Sequence, residues 1–217
     1  LADVALDAGA DPKRLSVHYQ GVDTHWWTPA PNTAESCEEP VVLFVGALSR
    51  LKGVDDLARA SASLVGRRPH RLVLVGDGPL EAGLRERAPA HVTFAGRLDR
   101  EGVREWMRRA HLLVLPTTPT QGRQEAAGLV LLEAQACGVP VVAYSTGGTP
   151  EMIAPGASLL TQERSPDALA RSIDEALAWS EDERADRGAQ CHAWVDKERS
   201  LRASTEQLRA IYADVTR

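Results

Sequence analysis

Short apolar runs recur at residues 41–45, 72–75, 92–95, 112–115 and 140–144, with helix-like stretches between them. Most are rich in β-branched residues and most end at Gly, Pro or Ser. The apolar residues are continuous rather than alternating, which is the pattern of a strand buried on both faces. Between the runs, Val54, Leu57, Ala58, Ser61, Leu64 and Val65 fall on one face of a helix. Val103, Trp106 and Met107 do the same after Asp99, a predicted N-cap. Strand–helix alternation of this kind predicts an α/β domain: a Rossmann-like parallel sheet with helices on both faces.

The ends of the chain break the alternation. Residues 1–10 read as a short helix ended by Gly9, and residues 15–19 as a single strand. Pro, Thr and Asn from Thr28 onward make linker chemistry that continues to Pro40. One helix and one strand do not form a core, so this region reads as the tail of a preceding domain. At the other end, Leu201, Leu208, Ile211, Tyr212 and Val215 give residues 200–215 the pattern of an amphipathic helix. The chain opens on Leu1 without a signal pattern, so it is expected to start inside a longer protein.

At 217 residues the chain is long enough to bury a core without disulfide or metal staples. Its 25 Lys and Arg against 30 Asp and Glu argue against binding to nucleic acid. No run approaches the ~20 apolar residues of a membrane span. Cys37, Cys137 and Cys191 are odd in number and far apart, which reads as free thiols in a reducing compartment. Cys137 sits in an apolar helix end and reads as core. The six histidines show no metal-ligand spacing and no GxSxG elbow occurs, so no metal site is expected.

Four loops carry candidate chemistry. Glu125 and Glu133 stand eight positions apart around the start of a helix that ends at Gly138. A rise of ~1.5 Å per residue separates them by about 10–12 Å, a span that suits a sugar diphosphate attached to a ribose. The amides near Gly128 would meet phosphates at the helix N-terminus; two solvated helix carboxylates would give the same spacing. Gly46-Ala47-Leu48-Ser49-Arg50-Leu51-Lys52-Gly53 follows the first strand and offers Arg50 and Lys52 to a phosphate, or is an exposed basic loop. Gly76-Asp77-Gly78-Pro79-Leu80-Glu81 invites a dinucleotide-binding reading, with Asp99 about 20 residues on. Glu81 in place of the third glycine favours a tight strand-to-helix turn instead. Gly147-Gly148-Thr149-Pro150-Glu151 brings backbone amides to a ligand or makes a structural turn. Trp26 and Trp27, beside the linker, fit either a domain boundary or ordinary burial.

Taken in order, these segments resemble the C-terminal, donor-binding half of a retaining GT-B glycosyltransferase of family 4, the glycosyl transferases group 1. His18-Tyr19-Gln20-Gly21-Val22-Asp23 is similar to the segment leaving the upstream domain, and Gly46 to Gly53 to the first donor-domain loop. Glu125 to Glu133 matches the E-x7-E signature, and Gly147-Gly148-Thr149-Pro150-Glu151 the following turn. Ala47 stands where the family commonly has Arg, with Arg50 the candidate replacement; Glu125-Ala126-Ala127-Gly128 replaces the common Glu-Gly-Leu-Pro.

The resemblance implies residues 1–23 as the tail of an acceptor-side domain and 24–40 as an interdomain linker. Residues 41–196 would be the donor-binding Rossmann-like domain and 197–217 a C-terminal amphipathic helix. It implies transfer of a hexose from a UDP- or GDP-linked donor to an unidentified acceptor in glycan, polysaccharide or glycoconjugate synthesis, without a metal. A non-catalytic nucleotide-sugar-binding module, or an epimerase or hydrolase acting on such donors, is the alternative. Lys52 would contact the diphosphate, Glu125 the transferred sugar and Glu133 the ribose. Gly46, Arg50 and the backbone of Gly128, Leu129 and Val130 would hold the donor, with Arg97 beside the base. The implied partners are the donor and the upstream domain. The implied location is cytoplasmic, or peripheral to the inner membrane face through that domain. This chain by itself is expected to be inactive.

Overall fold

The computed structural model describes residues 2–30, 39–120 and 128–215. A short helix α1 (Ala2–Asp7) and a 3-10 turn (Pro12–Arg14) come first. Strand and helix then alternate: β1 (Val41–Val45), α2 (Val54–Leu64), β2 (Arg71–Val75), α3 (Glu81–Arg87), β3 (Val92–Gly96) and α4 (Arg100–Arg109). They continue as β4 (Leu112–Leu115), α5 (Leu129–Ala136), β5 (Val141–Tyr144) and, after a 3-10 turn at Thr149–Met152, β6 (Leu159–Thr161). Three helices finish the chain: α6 (Pro166–Leu177), α7 (Glu181–Glu198) and α8 (Leu201–Val215).

The six strands form one parallel sheet in the order β3-β2-β1-β4-β5-β6. The chain builds outward from β1 to β3, then returns to the other side of β1 with β4. Right-handed crossovers in opposite directions put α2 and α5 on opposite faces. α6 packs on α2 over the first face and α7 on α5 over the second. The central strands are therefore covered twice, and Val42, Leu43, Phe44, Leu113 and Val142 are fully buried. This is the expected Rossmann-like architecture.

Two local expectations differ. β3 is half-buried along its whole length, because it is a sheet edge with a single neighbour. The Arg85 guanidinium covers it, 4.4 Å from the Phe94 ring. Residues 15–19 form no strand; they lie along α8, where the Ser204 hydroxyl donates to the Tyr19 carbonyl at 2.9 Å. Val22 makes an isolated parallel bridge to Ser200. β6 was not anticipated, since Leu-Leu-Thr is too short to show a pattern.

In a parallel sheet all the strand C-termini point the same way. The chain reverses its direction of growth between β1 and β4, which opens a crevice at their carboxyl ends. The loops after β1 and β3 and the start of α5 border it.

Candidate functional site

A cavity of about 370 Å³ occupies that crevice. The β1–α2 connection supplies Val45, Gly46 and Lys52; the β3–α4 corner supplies Leu98, Asp99, Arg100 and Val103; the start of α5 supplies Gly128, Leu129, Val130 and Glu133. Trp27 completes the wall.

Each wall is fixed by local chemistry. The loop after β1 is anchored in its first half: Gly46 N–H donates to the Val75 carbonyl at 3.0 Å and Leu48 N–H to the Asp77 carbonyl at 2.8 Å. Gly53 ends it in a left-handed conformation, φ 68°, pressed against the Pro116 carbonyl. That turn starts α2 and leaves Lys52 at the cavity. The β3–α4 corner is fixed by Asp99, whose carboxylate accepts from Gly102 N–H at 2.9 Å, the N-cap expected from sequence. Gly128, also left-handed at φ 51°, begins α5. The first amides of a helix have no partner within it and carry the positive end of its dipole, so this wall suits an anion.

Glu133 lies one turn into α5 and is half-buried. Burial raises its carboxyl above the ordinary value, and the Arg100 charge acts in the opposite direction. Two residues further along α5, the buried Gln135 donates to the Leu131 and Met152 carbonyls at 2.8 Å each and accepts from Ala154 N–H at 2.7 Å. Gln135 thereby fastens the end of the 3-10 segment that follows the Gly-Gly turn to the helix. Gly147, at φ 52°, makes that turn, and Pro150 stands in the first turn of the following 3-10 segment.

Of the residues singled out from sequence, Gly46, Lys52, Gly128, Leu129, Val130 and Glu133 line one cavity. Arg50 and Arg97 are outside its lining; the three residues after Arg97, Leu98, Asp99 and Arg100, line it instead, with Asp99 and Arg100 at its solvent-exposed edge. Glu125 lies outside the described residues, as do Cys37 and residues 31–38 of the expected linker. Sequence reasoning missed Arg100 and Trp27. Arg100 was readable as the residue after a predicted N-cap; Trp27 faces the site only through tertiary packing. Gly76–Gly78 makes the tight turn expected of it, for Cβ atoms at Gly76 and Gly78 would overlap the Gly46 and Leu48 carbonyl oxygens. Cys137 is buried as expected, and desolvation pushes its thiol up to about 12. Among the described residues, no group of three or more His, Cys, Asp or Glu is placed to hold a metal ion. A larger open groove, about 940 Å³, lies between residues 13–16 and the end of α8 and contains none of the candidate residues.

Comparison with known proteins bears on the family and the fold. The family model described as glycosyl transferases group 1 matches residues 39–178. D-inositol 3-phosphate glycosyltransferase 2 of Catenulispora acidiphila is 38% identical over 171 residues, covering 69% of this chain and 39% of that protein. The GDP-mannose-dependent monoacylated alpha-(1-6)-phosphatidylinositol monomannoside mannosyltransferase of Corynebacterium glutamicum is 33% identical over 203 residues, 87% of this chain and 53% of its own length. This chain thus spans about half or less of these curated relatives. Among solved structures, Anabaena HepE in complex with UDP superposes with a TM-score of 0.83 at 23% identity, over 98% of this chain and 61% of that one. The C-terminal domain of a group 1 glycosyl transferase from Francisella tularensis has a TM-score of 0.70 at 21% identity, over 83% of this chain and all of that one (100%).

Proposed function

The chain belongs to the glycosyl transferases group 1 family, and from that premise we propose that it is the donor-binding half of a retaining enzyme that transfers a hexose from a nucleoside-diphosphate sugar. The observation that carries the reading is the convergence of Lys52, the N-terminus of α5 and Glu133 on one cavity at the carboxyl ends of the sheet. A cation and a helix N-terminus suit a diphosphate; a half-buried carboxylate one turn further along suits the ribose hydroxyls.

In this reading Lys52 and the α5 amides neutralise the diphosphate as it departs, and that electrostatic stabilisation is the main catalytic contribution of this half. The backbone of Gly46, Gly128, Leu129 and Val130 cradles the phosphates. Glu125 faces the transferred sugar, and Arg50 and Arg97 act from the rim. Residues 1–23 are the exit from the acceptor-side domain, joined by 24–40 to the donor domain at 41–196, with 197–217 as the closing helix. Contacts of residues 17–22 with α8 and Ser200 support that division. Among the described residues no helix is long and apolar enough to cross a membrane.

The descriptions of similar proteins mention GDP-mannose and UDP-glucose, so the decisive experiment is calorimetry of this chain with UDP and GDP. One of the two should bind with a Kd of about micromolar order, and Glu133→Ala should weaken it by roughly tenfold or more. Binding of neither nucleotide, or an unchanged affinity in Glu133→Ala, would refute the assignment.

A further inference from the structure

Arg100, Arg104 and Arg108 repeat every four residues along α4 and share one of its faces. That face runs along the segment entering the domain. The Arg100 guanidinium lies 5.2 Å from the Trp26 ring and 5.4 Å from the Trp27 ring. Arg104 stands 3.9 Å over Trp26, and Arg108 Nε donates to the Thr28 carbonyl at 2.9 Å. Arg100 and Glu133 line the same cavity, and the Arg100 charge works against the upward shift of the Glu133 carboxyl as those of Arg104 and Arg108 do for the Cys137 thiol. Trp27 is 2% exposed, yet it lines the cavity together with Arg100 and Glu133.

A long arginine side chain loses considerable rotamer freedom when fixed, and flat aromatic faces fix it through its planar, weakly hydrated guanidinium. We propose that Arg100 is a positioning residue of the donor cavity, held by Trp26 and Trp27 so that its charge faces the Glu133 carboxylate. The entering segment is then part of the donor site, and its seating on α4 sets the state of the acid assigned to the ribose. This rests on the role of Glu133 given above. Burial favours the protonated, weaker acceptor form of Glu133, and Arg100 opposes that. Among the described residues, the other charged or titratable groups on this side of Glu133 are Asp99 and Lys52 in the cavity wall, Cys137 one turn along α5, and Arg104 and Arg108 on α4. On the far side of that helix, α7 contributes His192, whose Nδ1 lies 2.7 Å from the Ala136 carbonyl.

The test follows the Glu133 carboxyl by carbon-13 NMR in the ligand-free 217-residue chain, the resonance being identified by its loss in Glu133→Gln. Arg100→Gln should move the titration to higher pH, and Arg100→Lys should largely preserve it. Trp26→Leu should move it the same way and Trp26→Phe should not, while Trp26→Leu should add nothing in the Arg100→Gln background. Calorimetry with UDP and GDP gives the functional arm: for whichever binds, Arg100→Gln should cause a loss of affinity at mildly acid pH that shrinks as the pH is raised. The ligand's own phosphate titration is common to all variants. A Glu133 titration unmoved by Arg100→Gln, or additive effects of Trp26→Leu and Arg100→Gln, overturns the proposal even if nucleotide binds. A titration that moves as expected in a chain that binds neither nucleotide refutes the donor reading instead, and with it the role of Arg100 in donor binding.

Discussion

At the scale of single residues, the candidate site depends as much on glycines as on charges. Gly53 sits where the loop bearing Lys52 turns into α2, and its left-handed backbone lies against the Pro116 carbonyl. A Cβ there would meet both a disfavoured φ and an immovable carbonyl oxygen, whereas one at Gly66 would meet nothing within 4 Å. Gly53→Ala should cost about 2–4 kcal/mol and lower the melting temperature by roughly 5–10 °C, with Gly66→Ala as the near-neutral control. Thermal scans of the two variants check this; equal melting points would mean that the loop is not held by this contact. The Lys-Gly pair was visible in the sequence as a basic turn. Its reason was not, because Pro116 lies far along the chain.

Between elements, the β1–β4 boundary that creates the crevice is pinned at its other end by one imidazole. His111 N–H donates to the Val41 carbonyl at 2.9 Å, and Val41 N–H donates back to His111 Nδ1 at 3.1 Å. The second bond requires a neutral ring with Nδ1 unprotonated. Burial, with a smaller contribution from the Arg184 charge, lowers the pKa of His111 to about 4. The unfolded chain therefore binds a proton below about pH 6.5 that the folded chain refuses. Stability from this group is full above that pH and declines as pH falls toward about 4, by about 2 kcal/mol at about pH 5. His70 and His91, which flank the Ser61 hydroxyl at 2.8 Å each, are also lowered by burial and act in the same direction. Urea unfolding at neutral and mildly acid pH should show this decline, and His111→Asn, which keeps an acceptor for Val41 N–H, should flatten it. An identical pH dependence in the variant would remove His111 from the account.

Taken whole, the domain brings three loops from separate crossovers to one cavity, so a ligand filling it should tie those crossovers together. A nucleotide at a hundredfold excess over its Kd adds about 2.7 kcal/mol to stability, which should raise the melting temperature by roughly 5–10 °C. The shift should shrink in Lys52→Ala and Glu133→Ala if both contact the ligand. A full shift in both variants would place the nucleotide elsewhere, the groove beside α8 included.

The alternation of strands and helices from β1 to β5, the N-cap at Asp99, the burial of Cys137 and the helix start near Gly128 were legible in the sequence, whereas β6, α6 and α7 were not read from it. Each legible feature depends on residues close together in the chain, where the period of apolar residues and the chemistry of turns act directly. Even Lys52 and Glu133 could be chosen as candidates, because parallel sheets send every strand-to-helix loop to the same end. Tertiary structure decided which side chains reach the crevice. Arg97 and Arg50 fall outside it, while Arg100 and Trp27 line it, since α4 starts at Arg100 beside the cavity and the entering segment docks on α4. Contacts between segments some seventy to a hundred residues apart are set by how helices pack over the sheet, and local pattern carries no record of that packing.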